Sequence, residues 1–201
     1  MKNLVFISLS IFCISLTSCL PLAYRIHDVR AIEPQSNEEL LQFCREKKIT
    51  LTQLYRVKQD SVVVNMKKHL NKNYLFDRSG RFVNFASQFD NPKCKGNLIT
   101  VLENMASISA YPIDSTLLLR NLLEQTEVVV LPNSEIKEVQ MPESEYSVLI
   151  YWNVYSGNPN HRTAIADIRE IIEKQKLENV SLILVNQDFH EGTNLRFTGK
   201  R

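Results

Sequence analysis

Thiols are the groups in this chain whose chemistry is easiest to constrain. Cys94 stands in Asn91-Pro92-Lys93-Cys94-Lys95-Gly96, between two lysines and just before a helical pattern. Cations and a helix N-terminus both favour the thiolate, so a reactive thiol is one reading. Cys44 falls on the apolar stripe of an amphipathic segment. A disulfide between the two is a second reading, and closing a loop of about 50 residues would add about 4 kcal/mol in the chain-entropy picture. Two inert thiols are the third. His27, His69, His161 and His190 pair neither with one another nor with a cysteine at metal-ligand spacing, so no metal or other cofactor is expected. Ser156, His161 and Asp167 have the residue types of a hydrolase triad, but no nucleophile-elbow sequence surrounds the serine. Trp152, the only tryptophan, ends an apolar run and is expected in the core.

The other two cysteines lie near the N-terminus. Lys2 supplies a positive start, residues 4–16 are apolar apart from serines and Cys13, and small residues lead into Cys19. That is the build of a secretory signal, too short to span a bilayer comfortably. Leu16-Thr17-Ser18-Cys19 resembles the lipobox of bacterial lipoproteins. The resemblance implies cleavage before Cys19, diacylglycerol on its thiol and a further acyl chain, such as palmitate, on its amine. Several acyl chains exceed the single-chain threshold for stable anchoring. Expected localisation is the cell membrane or outer membrane, lipid-anchored and facing the periplasm. Leu20-Pro21 lacks the acidic residue associated with inner-membrane retention in enteric bacteria and leans towards the outer membrane. Residues 1–18 are then the signal peptide, 19–35 a tether and 36–201 a single domain.

Composition sets limits on that domain. With 24 basic and 22 acidic residues the net charge is +2, which argues for no nucleic-acid partner. Five glycines and abundant aliphatics suit a packed α/β core. Ser36-Asn37-Glu38-Glu39 is a capping-box signature, and Leu40, Phe43 and Cys44 keep helical spacing, predicting a helix over 36–47. Residues 51–57 and, more strongly, 61–66 with Val62-Val63-Val64 read as strands. Residues 74–85 read as a hairpin turning at Asp77-Arg78-Ser79-Gly80. Helices are predicted over 95–109 and from Asp114, the latter leucine-rich and stapled by Ile113 to Leu118. A strand over 128–131 is followed by a polar connector over 132–145. Residues 146–152 and 180–185 are continuous apolar strands, and Ala164, Ile165, Ile168, Ile171 and Ile172 stripe the helix between them. This is a βαβ unit with parallel strands.

That unit is similar to thioredoxin-like domains over 146–189. Val148-Leu149-Ile150-Tyr151-Trp152 leads into Tyr155-Ser156-Gly157-Asn158-Pro159-Asn160, then a helix, then Leu182-Ile183-Leu184-Val185-Asn186-Gln187-Asp188. Set against the family's Trp-Cys-Gly-Pro-Cys, Tyr155 takes the tryptophan, Ser156 the first cysteine, Gly157 the glycine, Pro159 the proline and Asn160 the second cysteine. Asn158 is one extra residue. Dithiol exchange needs a thiolate and a resolving thiol. Neither Ser156 nor Asn160 supplies one, so the loop is a degenerate active site. The family continues after its second strand with a hairpin and a helix, whereas the residues after Val185 here are few. The hairpin of 74–85 resembles the family's closing hairpin, so either upstream strands complete the sheet or the C-terminal end is missing.

The expected fold is α/β, a mixed sheet with flanking helices and a thioredoxin-like βαβ in the C-terminal third. The expected function is an envelope lipoprotein with a redox-inactive domain in a binding or scaffold role. Its partners would be the membrane, through the N-terminal lipid, and an envelope protein. The alternative is a thiol-disulfide oxidoreductase or thiol sensor using Cys94 and Cys44.

Overall fold

The computed structural model describes residues 32–49, 51, 53–90, 96–130, 135–157 and 163–191. Cys19, Cys94, Pro159, Asn160, His27 and His161 lie outside the described residues.

Apolar runs make the centre of the sheet, as their composition requires. β7 (Tyr146–Trp152) and β8 (Val180–Asn186) pair in parallel from Tyr146↔Val180 to Trp152↔Asn186. Alternate side chains serve opposite faces. Val148, Ile150, Trp152 and Leu184 lie in one core, and Leu149, Tyr151, Ile183 and Val185 in the other. The connecting helix, α5 (Ile165–Lys174), buries Ile165 and Ile168 in the first.

Upstream segments extend this unit on both sides. β2 (Asn73–Asp77) runs antiparallel to β7, and β3 (Arg81–Val83) folds back on β2. Gly80 adopts φ +73° in the turn, and Asp77 Oδ1 accepts the N–H groups of Ser79 and Arg81. β1 (Leu54–Val57) pairs in parallel with β8 on its other edge. With β4 (Ile113–Leu118), β5 (Thr126–Val130) and β6 (Glu135–Glu138), the eight-stranded mixed sheet has the order β4-β3-β2-β7-β8-β1-β5-β6. The α/β class is as expected, and upstream strands flank β7 and β8 on both sides.

Helices cover both faces. α1 (Asn37–Glu46) carries the expected capping box, with Ser36 and Glu39 bonded reciprocally, and buries Leu40, Phe43 and Cys44. It shares the first core with α3 (Gly96–Glu103) and α5. α2 (Val62–His69) and the short α4 (Leu119–Leu123) cover the second. Trp152 is fully buried, stacked on Phe43 at 6.2 Å between ring centroids.

Five sequence expectations need correction. The stretch 61–66 is not a strand but the start of α2. Val62 is buried while Val63 and Val64 are half exposed, and the burial of Val62 and Asn65 follows a helical turn. Tertiary context outweighs the small helix penalty of β-branched residues. The segment from Asp114 is strand β4, paired with β3, and only Leu119–Leu123 is helical. Asp114 accepts from the N–H and hydroxyl of Thr116 in a local turn that resembles a cap in sequence, and Ile113 is exposed rather than stapled. The connector of 132–145 contains β6, an exposed charged edge strand that no apolar alternation marks. The helix of 95–109 ends at Glu103 and passes into a 3₁₀ segment, Met105–Ala110. Gln35, expected at the end of the tether, already belongs to the fold: its N–H donates to Phe189 O over 2.7 Å.

Candidate functional site

Polar residues cluster where β7 and β8 end. Asn153, Asn186, Gln187 and Asp188 are all buried, which demands partners for their amides and carboxylate. Gln187 donates its N–H to Trp152 O over 2.8 Å and its Nε2 to Asn65 Oδ1 over 2.7 Å. Asn65 Nδ2 in turn donates to the Tyr151 hydroxyl over 3.2 Å. Asp188 takes the N–H of Val154 on Oδ2 at 2.9 Å and the Nδ2 of Asn186 on the same oxygen at 2.7 Å. Burial pushes the Asp188 carboxyl up to about 6, against the opposing pull of the Asn186 side chain and the Val154 and Tyr155 N–H groups.

The loop leaving β7 is held from a second side by Asn71, which lies between α2 and β2. Its backbone is left-handed at φ +51°, a conformation asparagine tolerates. Asn71 Nδ2 donates to Ser156 Oγ over 3.1 Å, the Ser156 hydroxyl donates to Asn71 Oδ1 over 3.2 Å, and Asn153 Nδ2 reaches the same oxygen at 3.2 Å. Ser156 N–H donates to Asn153 Oδ1 over 2.8 Å. The position aligned with a first cysteine is thus a hydroxyl engaged with an amide, with no activating base among these contacts.

Beside this loop lies a cleft of about 390 Å³, between α1 and the ends of the strands. Glu33, Gln35, Glu39, Gln42 and Glu46 line one side, and Val154, Tyr155 and Asp188 the other. The Ser36 cap holds the Glu39 carboxyl below its usual range. The Tyr155 hydroxyl is buried with no hydrogen-bond partner among the described residues, and burial pushes its ionisation up. The cleft is therefore acidic and hydrogen-bonding, with no thiol in its lining.

Among the expected site residues, Tyr155, Ser156 and Gly157 sit together in the loop, Gly157 at φ +98°. α5 begins at Ile165 after a left-handed Ala164 at φ +55°, and the Pro159 and Asn160 that the resemblance placed at a helix start lie outside the described residues. Cys44 is a free, buried thiol whose pKa is pushed up to about 12, first by burial and then by Asp188. His69 stacks on Tyr151 and contacts the Tyr74 hydroxyl at 2.7 Å, and burial takes its pKa down to about 4. His190, 4.0 Å from Glu127, is likewise lowered to about 4 by burial and then by Arg56. At neutral pH that contact joins a neutral ring to a carboxylate whose stronger partner is Arg56 Nε, at 2.7 Å. Among the described residues no three His, Cys, Asp or Glu side chains are grouped to hold a metal ion, and no helix is long and apolar enough to cross a membrane.

Sequence reading missed Asn65, Asn71 and Gln187. Only Asn186-Gln187-Asp188, a polar triplet directly after an apolar strand, signals the cluster; Asn65 and Asn71 carry no local mark of a role 80 and more residues away. Comparison with protein-family models, with curated protein sequences and with solved structures finds no match to the chain.

Proposed function

We propose that this chain is a lipid-anchored envelope protein whose thioredoxin-like domain binds a protein partner without dithiol chemistry. The anchor rests on the lipobox-like Leu16-Thr17-Ser18-Cys19. Support for the thioredoxin-like reading comes from the hairpin β2–β3 lying antiparallel beside β7, with α3 following it and packing against α5. The hairpin and helix that end a thioredoxin-like chain here precede the βαβ unit.

The observation that carries the non-redox reading is the engagement of Ser156 by Asn71 where a nucleophilic thiol would stand. A loop tied down by amides, next to a preformed polar cleft, is suited to recognition rather than exchange. The oxidoreductase alternative would need Cys44 as a thiolate, and burial opposes that.

The purified protein should reduce insulin with dithiothreitol no faster than background, and Cys94→Ser should change nothing. Activity abolished by Cys94→Ser would establish the alternative instead. A photo-crosslinking residue in place of Gln42, in the cleft, should yield a discrete adduct in intact cells. The same residue in place of exposed Glu178 should not.

A further inference from the structure

We propose that the exposed side of α2 rests on the surface of an anionic bilayer, an inference that depends on the lipid-anchor reading above. α2 turns Val62 and Asn65 inward, and leaves Val63 at 50 %, Val64 at 52 % and, just beyond the helix, Leu70 at 44 % exposure. Lys67, Lys68 and Lys72 are exposed alongside them. From Lys58 to Lys72 the chain carries four lysines and a single acid, Asp60. Apolar side chains among lysines match an interface of acyl chains below anionic headgroups.

Placement favours the membrane over other occupants. β1 runs parallel to β8 and β2 antiparallel to β7, so the α2 connection passes between them at the end of the sheet where β7 and β8 finish. The chain enters at that same end, where Gln35 bridges to His190. Residues 20–31 separate Cys19 from the first described residue, and fully extended they reach about 45 Å. The acyl chains on Cys19 would therefore tether the domain to the lipid by the end at which α2 lies. The acidic cleft lies at the same end, lined by Glu33, Gln35 and Asp188, but on the face under α1, so repulsion from anionic lipid there turns α2 towards the bilayer.

The test uses the lipidated protein extracted from membranes, carrying Cys94→Ser and an environment-sensitive fluorophore on Val64→Cys. It is reconstituted into vesicles of phosphatidylglycerol and phosphatidylcholine containing a lipid-borne quencher. Quenching at position 64 should be strong, and quenching of the same dye on Glu178→Cys, at the far end of the sheet, weak. Reversing Lys67, Lys68 and Lys72 to Glu should shift the docked-to-undocked ratio by about a hundredfold, at about fivefold or more per lysine, while the protein still floats with the vesicles. Equal quenching at positions 64 and 178 in protein that floats overturns the proposal, as does equal quenching in vesicles of phosphatidylcholine alone. Wild-type protein that fails to float overturns the anchor itself, and the proposal with it.

Discussion

Asn71 and Ser156, 85 residues apart in sequence, exchange two side-chain hydrogen bonds of 3.1 and 3.2 Å. The pair joins the turn before β2 to the loop after β7. A left-handed backbone at Asn71 aims its amide at the loop, so one residue supplies both geometry and bonding.

Asn71→Ala removes these bonds and the one from Asn153, and places a Cβ residue without asparagine's local bonding in the left-handed region. The expected loss is about 4 kcal/mol, from three hydrogen bonds at about 1 kcal/mol each plus about 1 kcal/mol of backbone penalty. Asn71→Gly escapes the backbone part and should lose about 3 kcal/mol. Thermal melts should rank wild type above Gly above Ala. Ala equal to wild type would mean that the network does not hold the loop.

Buried titratable groups oppose one another in the acid range. His69 and His190 have folded pKa values near 4, below the ordinary 6.5, so the folded state binds fewer protons than the unfolded one between those values. Their contribution is complete above pH 6.5 and is lost as pH falls through about 4. Asp188 has the opposite sign: raised from 3.8 to about 6, it contributes most below 3.8 and loses that contribution as pH rises through 6. Two histidines against one aspartate predict a Tm that falls between about pH 7 and pH 4.5. His69→Gln should make that fall shallower, and Asp188→Asn should make it steeper. The reverse order of slopes would contradict these assignments.

The valine run of α2 separates helix from strand directly. Val62 is fully buried, so Val62→Ala should cost about 2 kcal/mol. Val64, half exposed on a helix, should tolerate alanine with no loss, because alanine is the better helix former. Guanidinium unfolding midpoints would check this. Equal losses at 62 and 64 would indicate a strand that buries the one face they share.

Cys44 should resist iodoacetamide at about pH 7 until the protein is unfolded, since its pKa lies near 12 in a buried site. Rapid labelling of Cys44 in the folded protein, located by peptide mapping, would revive the thiol-sensor reading.

What the sequence discloses depends on how local the cause is. The capping box at Ser36 and Glu39, the turn at Gly80 and the apolar runs of β7 and β8 are set by neighbours in sequence, and each forms as expected. Val62-Val63-Val64 misleads because β propensity reflects half-buried pleated surfaces, whereas here only one residue in three is covered. β6 is all but invisible because an exposed edge strand needs no apolar residues. Tyr155, Ser156 and Gly157 are marked as a loop by their place between an apolar strand and a helical stripe, but the lock on that loop is not marked. Asn65, Asn71 and Gln187 meet only through the crossing of α2 and the sheet, and asparagine in a turn looks the same with or without a distant partner.

The proposed anchor and envelope role both depend on Cys19. Membrane-extracted wild-type protein should partition into detergent, and its N-terminal tryptic peptide, residues 19–25, should carry the mass of a diacylglyceryl group and an amide-linked acyl chain on Cys19. Cys19→Ser should either be released from the membrane or retain its full signal peptide. A wild-type N-terminus that begins elsewhere, or a peptide 19–25 with no acyl mass, would contradict the anchor and the proposed envelope role.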